Sequence, residues 1–256
     1  MQKVHNGLMA QRSYREHLVN GGRIERNNQR YRLSIPPTTH TSYTDAQLDD
    51  YPHEPPRTFS NLPPTHLSVR ARFSASNLQG TAGFGFWNHP FSRTGDVLLP
   101  PCNVWFFYSS VESHLRLSAN TPGWGFKASV LYSAIMPSSL MRLINYPLNA
   151  LLRVPRLSRL LMSVARTAVR AEEAPIAVDM TLWHTYSIVW RADAAVFSID
   201  GNVMLTARRP PRIALGFAAW IDNYCATMGD NGEYGFRYVS VRDEQWLELE
   251  IMDGHE

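Results

Sequence analysis

The stretch "NVWFFYS" at residues 103–109 sets four aromatic side chains in a row, without a charge, between Pro-Pro-Cys and a polar Ser-Ser-Val-Glu. A run of that length suits one β-strand. Strand side chains alternate between two faces, so Trp105 and Phe107 point one way and Phe106 and Tyr108 the other. Both faces are apolar. One is expected in a core, which leaves the purpose of the other to be found.

Outward from this stretch the strand length scale repeats. "LSVRARFS" alternates Leu67, Val69, Ala71 and Phe73 with Ser68, Arg70, Arg72 and Ser74, the period of a half-buried strand. Similar runs occur at "AGFGFWN", "GWGFKASVL", "HTYSIVW", "AVFSID", "NVMLTA", "IALGFAAWID", "YGFRYVSV" and "WLELEIM". Asp200-Gly201-Asn202 between two of them is hairpin chemistry, because such residues tolerate the positive φ of tight turns. About ten strands without alternating helices predict an all-β fold, a two-sheet antiparallel jelly-roll sandwich.

The chain has 256 residues, and a sandwich of that size forms one domain. Residues 1–30 are polar and weakly periodic and are expected to be an N-terminal arm. Residues 31–256 then form a single β-sandwich domain, with the Pro-rich 31–64 as extended segments and loops. From Ala134 to about Glu173, Leu, Ile, Met and Val recur at helical spacing around Pro147 and Pro155, which predicts a short α-helical insertion. Its arginines (Arg142, Arg153, Arg156, Arg159, Arg166 and Arg170) leave three readings open: a flap packed on the sandwich, a lid over a site, or a membrane-surface contact.

The formal charge of +3, from 25 Lys and Arg against 22 Asp and Glu, gives no reason to expect nucleic acid as a partner. No signal-like apolar core and no membrane-length apolar run is seen, so a cytoplasmic location is expected. Cys102 and Cys225 are too few and too far apart for a metal motif and are expected as free, buried thiols. Neither a phosphate loop nor a Gly-x-Ser-x-Gly elbow is present. No cofactor and no metal are expected; loop carboxylates such as Asp45, Asp49 or Asp50 carry no calcium motif.

Sorting strands by alternation separates a core set from a second set. Phe84 and Phe86 oppose Gly83, Gly85 and Trp87; Phe126, Ala128 and Val130 oppose Lys127 and Ser129; Phe217, Ala219 and Ile221 oppose Trp220, Asp222 and Tyr224. The second set, with Trp105 and Phe107, reads either as an aromatic ligand surface floored by glycines or as a second core beneath the insertion. Asn88, Asn103 and Asn223 lie beside it as candidate polar contacts. Asp222 and Lys127 are the candidate catalytic residues, either or both transferring a proton, since a desolvated carboxyl keeps its proton near neutral pH; Lys127 is also a candidate partner for a buried Asp222.

"VRARFSASNLQGTAGFGFW" (69–87), "WHTYSIVWRADAAVFSIDG" (183–201) and the closing strand pair resemble the concanavalin A-like fold of lectins and laminarinase-type glycoside hydrolases, over roughly residues 65–252. The phrases "GTAGFGFWN" and "WIDN" are closer to microbial members that lack the catalytic carboxylate motif. In the hydrolases, the strand after the "GFW"-like strand carries a Glu-x-Asp-x-x-Glu or Glu-x-Asp-x-Glu pattern. Here that strand is "NVWFFYS", with Asn103, Trp105 and Phe107 in the acids' places, and Glu112 lies beyond it. The resemblance therefore implies the fold without retaining glycoside hydrolysis, which needs two nearby carboxyl groups. Two functions are expected as alternatives. One is a cofactor-independent cyclase, isomerase or lyase acting on an apolar small molecule; the other is a non-catalytic ligand- or glycan-binding module.

Overall fold

The computed structural model describes residues 14–52, 59–88, 101–114, 116–118, 121–133, 169–228 and 234–252. Within them, every regular element is a strand. Sheet A runs, in spatial order, β1 (Arg15–Val19), β4 (Asp45–Asp49), β13 (Gly216–Asp222), β6 (Thr81–Trp87), β7 (Asn103–Ser109), β8 (Gly125–Ser133) and β9 (Val169–Pro175). Sheet B runs β12 (Asn202–Arg208), β11 (Ala194–Ile199), β10 (His184–Trp190), β5 (Thr65–Phe73), β16 (Gln245–Met252), β3 (Arg30–Ile35) and β2 (Arg23–Asn27). A hairpin of β14 (Tyr224–Met228) and β15 (Tyr234–Tyr238) follows β13. Neighbouring strands pair antiparallel throughout both sheets.

The core lies between the sheets, and the alternation read from sequence selects its members. Phe84, Phe86, Phe106, Phe126 and Phe217 face it from sheet A; Phe73, Tyr186, Trp190 and Phe197 face it from sheet B. Phe106 meets Tyr186 edge-on at 5.1 Å and Phe197 at 5.3 Å, and Phe86 lies 5.4 Å from Trp190. The β11–β12 turn is as the sequence implies, with Asp200 at φ 49° and Gly201 at φ 80°.

The outer face of sheet B has no need of a second layer. Arg30, Arg70 and Arg72 stack on Trp183 at 4.9–5.0 Å, and Arg32 lies 4.4 Å from the Trp246 ring. Glu248 and Glu250 pair with the same arginines across β3, β16 and β5. A charged, solvated lattice of this kind covers apolar ring surface while keeping its charges in water.

Two boundaries differ from expectation. Residues 15–27, expected within a polar arm, form the edge strands β1 and β2. Edge strands are held through backbone pairing and expose most of their side chains, so they show little hydrophobic period; a bidentate bond from Arg15 to Asp49 anchors β1. Residues 169–173, expected at the end of the helical insertion, belong to β9, whose pairing with β8 overrides their helical spacing. The rest of the expected insertion, 134–168, lies outside the described residues.

The two faces of β7 carry different weight. Phe106→Ala is expected to cost about 3–5 kcal/mol, the loss of a fully buried aromatic. Phe107→Ala, at a half-buried position on the opposite face, is expected to cost roughly 1–2 kcal/mol. Chemical denaturation of the two variants measures the difference, and equal losses would mean that the second face is packed as a second core.

Candidate functional site

The second face of sheet A is aromatic at its centre. Trp105 stacks on Phe107 at 5.2 Å with 13° between the rings, and it lies 5.3 Å from Trp87 and 5.0 Å from Trp220. Phe107 and Trp220 are 6.0 Å apart. Tyr51 and Phe59 extend the cluster along β13, with both rings seated on Gly216. Trp105 and Trp220 are buried, whereas Trp87 and Phe107 are half-buried and form its accessible margin.

The glycines of β6 serve these rings. A Cβ on Gly83 would lie 2.3 Å from the Phe106 carbonyl oxygen and 3.1 Å from the Trp220 indole. One on Gly85, at φ 149°, would lie 2.5 Å from the Trp105 backbone. They were expected to admit a ligand to the backbone; the Trp220 ring and the neighbouring strand take that space instead.

One flank of the platform is acidic. Asp222 ends β13 directly opposite Asp45 on β4, so their side chains share the face. Asp222 Oδ1 accepts hydrogen bonds from the Thr81 hydroxyl (2.7 Å), the Thr81 amide (3.2 Å) and the Tyr224 amide (3.0 Å); Oδ2 accepts a long one from the Tyr43 hydroxyl (3.4 Å). Thr81 Oγ1 in turn accepts from Trp220 Nε1 at 3.0 Å, which ties the platform to the acid. Burial raises the Asp222 carboxyl to about 7 despite those donors, and it raises Asp45 as well, with the Asp222 charge adding to it. Two carboxyls on one face, both removed from water, resist being ionised together. Since Oδ1 carries three donors, the Asp222 proton belongs on Oδ2. His17 Nε2 approaches Asp45 at 3.9 Å, and farther along β4 Asp49 binds Arg15 and Gln47.

The opposite flank is an ion pair. Lys127 stands across from Phe107 and Ser129 across from Glu173, all on the platform side. Lys127 Nζ lies 3.5 Å from Glu173 Oε1 and donates to the Pro122 carbonyl at 2.9 Å; Ser129 Oγ donates to the same carboxylate oxygen at 3.4 Å. Burial pushes the Lys127 ammonium down and the Glu173 carboxyl up, and each charge opposes the other's shift. Glu173 Oε2 is buried and makes no hydrogen bond among the described residues.

The expected residues thus separate into groups. Trp87, Trp105, Phe107 and Trp220 form the platform, with Lys127 and Asp222 on opposite flanks of it. Asn88 accepts from the Cys102 amide at 3.0 Å, and Asn103 from the Leu131 amide at 3.2 Å; both close strand ends. Asn223 is buried between the Thr44 amide and the Ser42 and Val239 carbonyls. It breaks the strand, and Tyr224, expected beside Trp220, falls out of the alternation. Tyr224 stacks with Phe236 at 5.1 Å and packs near Tyr43 and Tyr238. Glu173 was missed because it was assigned to a helix; the alternation of "VRAEEAP" about Ala171, Glu173 and Pro175 was the available signal. Among the described residues, no group of three or more His, Cys, Asp or Glu side chains is placed to hold a metal ion.

No family model and no curated protein matches the chain. Among solved structures it is similar to a GlcNAcα1-4Gal-releasing endo-β-galactosidase from Clostridium perfringens, with 10% identity, a TM-score of 0.47 and 98% of this chain covered. The chain spans 62% of that structure's length. It is also similar to a laminarinase from Flavobacterium sp. UMI-01 (11% identity, TM-score 0.46, 96% of this chain and 94% of that one). A third is a glycoside hydrolase family 16 endo-glucanase from Bacteroides ovatus (6% identity, TM-score 0.47, 96% and 97%).

The acidic flank gives a signed pH dependence. A carboxyl whose folded value lies near 7, above the usual 3.9, binds its proton more tightly folded than unfolded. Its contribution to stability is complete below about pH 4 and is lost as pH rises through about 7. Asp222→Asn keeps an acceptor for Thr81 and cannot ionise, so the variant is expected to lose less stability between pH 5 and 8, by up to about 1.4 kcal/mol per pH unit at the steepest point. Denaturant titrations at several pH values check it; parallel curves for the two proteins would show Asp222 to be ionised throughout.

Proposed function

We propose that the second face of sheet A binds a ring-bearing, hydroxylated ligand, a saccharide, as a non-catalytic binding module. The observation that carries this reading is the pairing of the Trp105-centred platform with the buried Lys127–Glu173 pair beside Phe107. The C–H face of a sugar ring stacks on an aromatic surface, and its hydroxyls need planar charged or amide partners at the rim. The sequence favoured an apolar guest because polar groups on this face looked sparse. Glu173, Gln47, Asp49 and Arg15 add a polar complement, which favours a hydroxylated one.

The non-catalytic part rests on hydrogen bonding. Asp222 Oδ1 is filled by three protein donors, and Lys127 Nζ is held by Glu173 and a carbonyl. The positions of β7 on this face hold Asn103, Trp105 and Phe107, so hydrolysis by paired carboxylates on this strand stays disfavoured. A cyclase, isomerase or lyase acting on an apolar substrate is a second reading, favoured by one observation: the Asp222 carboxyl is held near 7, suited to proton transfer.

An oligosaccharide array, followed by calorimetry on the best binder, tests the proposal. Trp105→Ala and the milder Phe107→Ala are each expected to weaken binding at least tenfold, Glu173→Gln several-fold, and Asp222→Asn little. A folded protein that binds no oligosaccharide, or binding that ignores both aromatic substitutions, would overturn it. Capture of a polycyclic apolar ligand whose turnover is lost in Asp222→Asn would establish the second reading.

A further inference from the structure

On one side of the sandwich the outer strands of the two sheets, β9 and β12, come together. Between them opens a cavity of about 290 Å³ lined by Val130, Tyr132, Arg170, Glu172, Arg208 and Arg209. Val130 and Tyr132 lie on the face of β8 opposite Lys127, so the cavity is separate from the Trp105 platform.

Its charge is unbalanced. Three arginines, each exposed, line it against the single acidic residue Glu172, leaving two positive charges in excess, and Glu172 Oε2 is engaged by the Arg208 backbone amide at 3.0 Å. Among the described residues, none of Arg170, Arg208 and Arg209 forms an ion pair. Arg15, Arg30, Arg32, Arg70 and Arg72 each have a carboxylate partner. Arginine does not lose its proton in this pH range, so these three exposed arginines give the cavity mouth a persistent positive charge, screened by solvent, that an anion would neutralise. Their planar forks match tetrahedral oxyanions, and two charges in excess match a dianion. The volume exceeds what a bare oxyanion fills and approaches that of small-molecule pockets, about 300 Å³ upward. Tyr132 and Val130 offer an aromatic and an apolar surface to the remainder of such a ligand.

We infer that this cavity binds a small phosphate monoester, with the dianion held by Arg170, Arg208 and Arg209 and its organic body against Tyr132 and Val130. Calorimetry of the full chain with phenyl phosphate tests this, with phenyl sulfate and inorganic phosphate as comparison arms. Phenyl phosphate is expected to bind saturably, and the monoanionic sulfate ester at least tenfold more weakly. Inorganic phosphate, lacking the organic body, is expected to fall between them. Arg208→Gln keeps the backbone bond to Glu172, and Arg209→Asn suits the φ of 61° at that position, so both variants are expected to fold. Each is expected to weaken phenyl phosphate binding at least tenfold, while Arg70→Gln, on the outer face of sheet B, leaves it unchanged. Absence of saturable binding, an equal loss in Arg70→Gln, or phenyl sulfate binding as tightly as phenyl phosphate would overturn the inference. Inorganic phosphate binding as tightly as phenyl phosphate would overturn its organic half.

Discussion

A strand that is aromatic on both faces has to be accommodated twice, and β7 sits near the middle of sheet A, where neither face is relieved by an edge. Its core face is settled by sheet B, whose Tyr186 and Phe197 meet Phe106. The other face is settled within sheet A. Trp87 and Trp220 lean from β6 and β13 onto Trp105, and β6 gives up side chains at Gly83 and Gly85 so that they fit. Once the rings are placed, the positions beside them fall to residues that are not apolar: Asp222 and Asp45 on one side, Lys127 and Glu173 on the other. A second hydrophobic layer would have no use for four ionisable groups, each costly to remove from water. Their presence is the argument for a site.

The two sheets treat charge differently. The outer face of sheet B keeps its arginines and glutamates at the solvent boundary, where each pair contributes little and the charged tips stay hydrated. The second face of sheet A buries its charges and pairs them by two devices. Lys127 and Glu173 form an ion pair, whereas Asp45 and Asp222 are like groups whose carboxyls burial raises. Burial opposes the charged form in both arrangements, lowering Lys127 and raising Glu173, and it brings Asp222 to about 7. One sheet face thus carries an ion pair and a pair of like carboxyls at opposite ends of a common aromatic floor.

Much of this was legible in the sequence because alternation is a local signal. The faces of "NVWFFYS", "GFGFW" and "GFKASV" sort as their period implies, as does the Asp-Gly turn. What escaped depended on partners distant in the chain. β1 and β2 are polar edge strands that exist by pairing with β4 and β3, so their own composition carries no strand signal. Glu173 sits at the end of a helix-like apolar period, and only its register against Ser129 places it on the platform side. Tyr224 was misplaced because one buried residue, Asn223, bonds to three backbone groups and ends the alternation. The role of the glycines was missed for the same reason, since what fills the space over Gly83 is a ring from β13.

The bond series from Trp220 Nε1 through the Thr81 hydroxyl to Asp222 joins these features into one physical unit. A hydroxyl has one proton to donate, and Thr81 gives it to Asp222, which leaves the oxygen's lone pair directed at the indole. The orientation of Trp220 therefore depends on an acceptor at Asp222 Oδ1. That acceptor persists whether or not Oδ2, which accepts only the long bond from Tyr43, carries a proton. The platform can hold its shape while Asp222 beside it titrates. The Trp105 platform thus keeps its geometry as Asp222 titrates near 7, while the charge at its acidic edge changes.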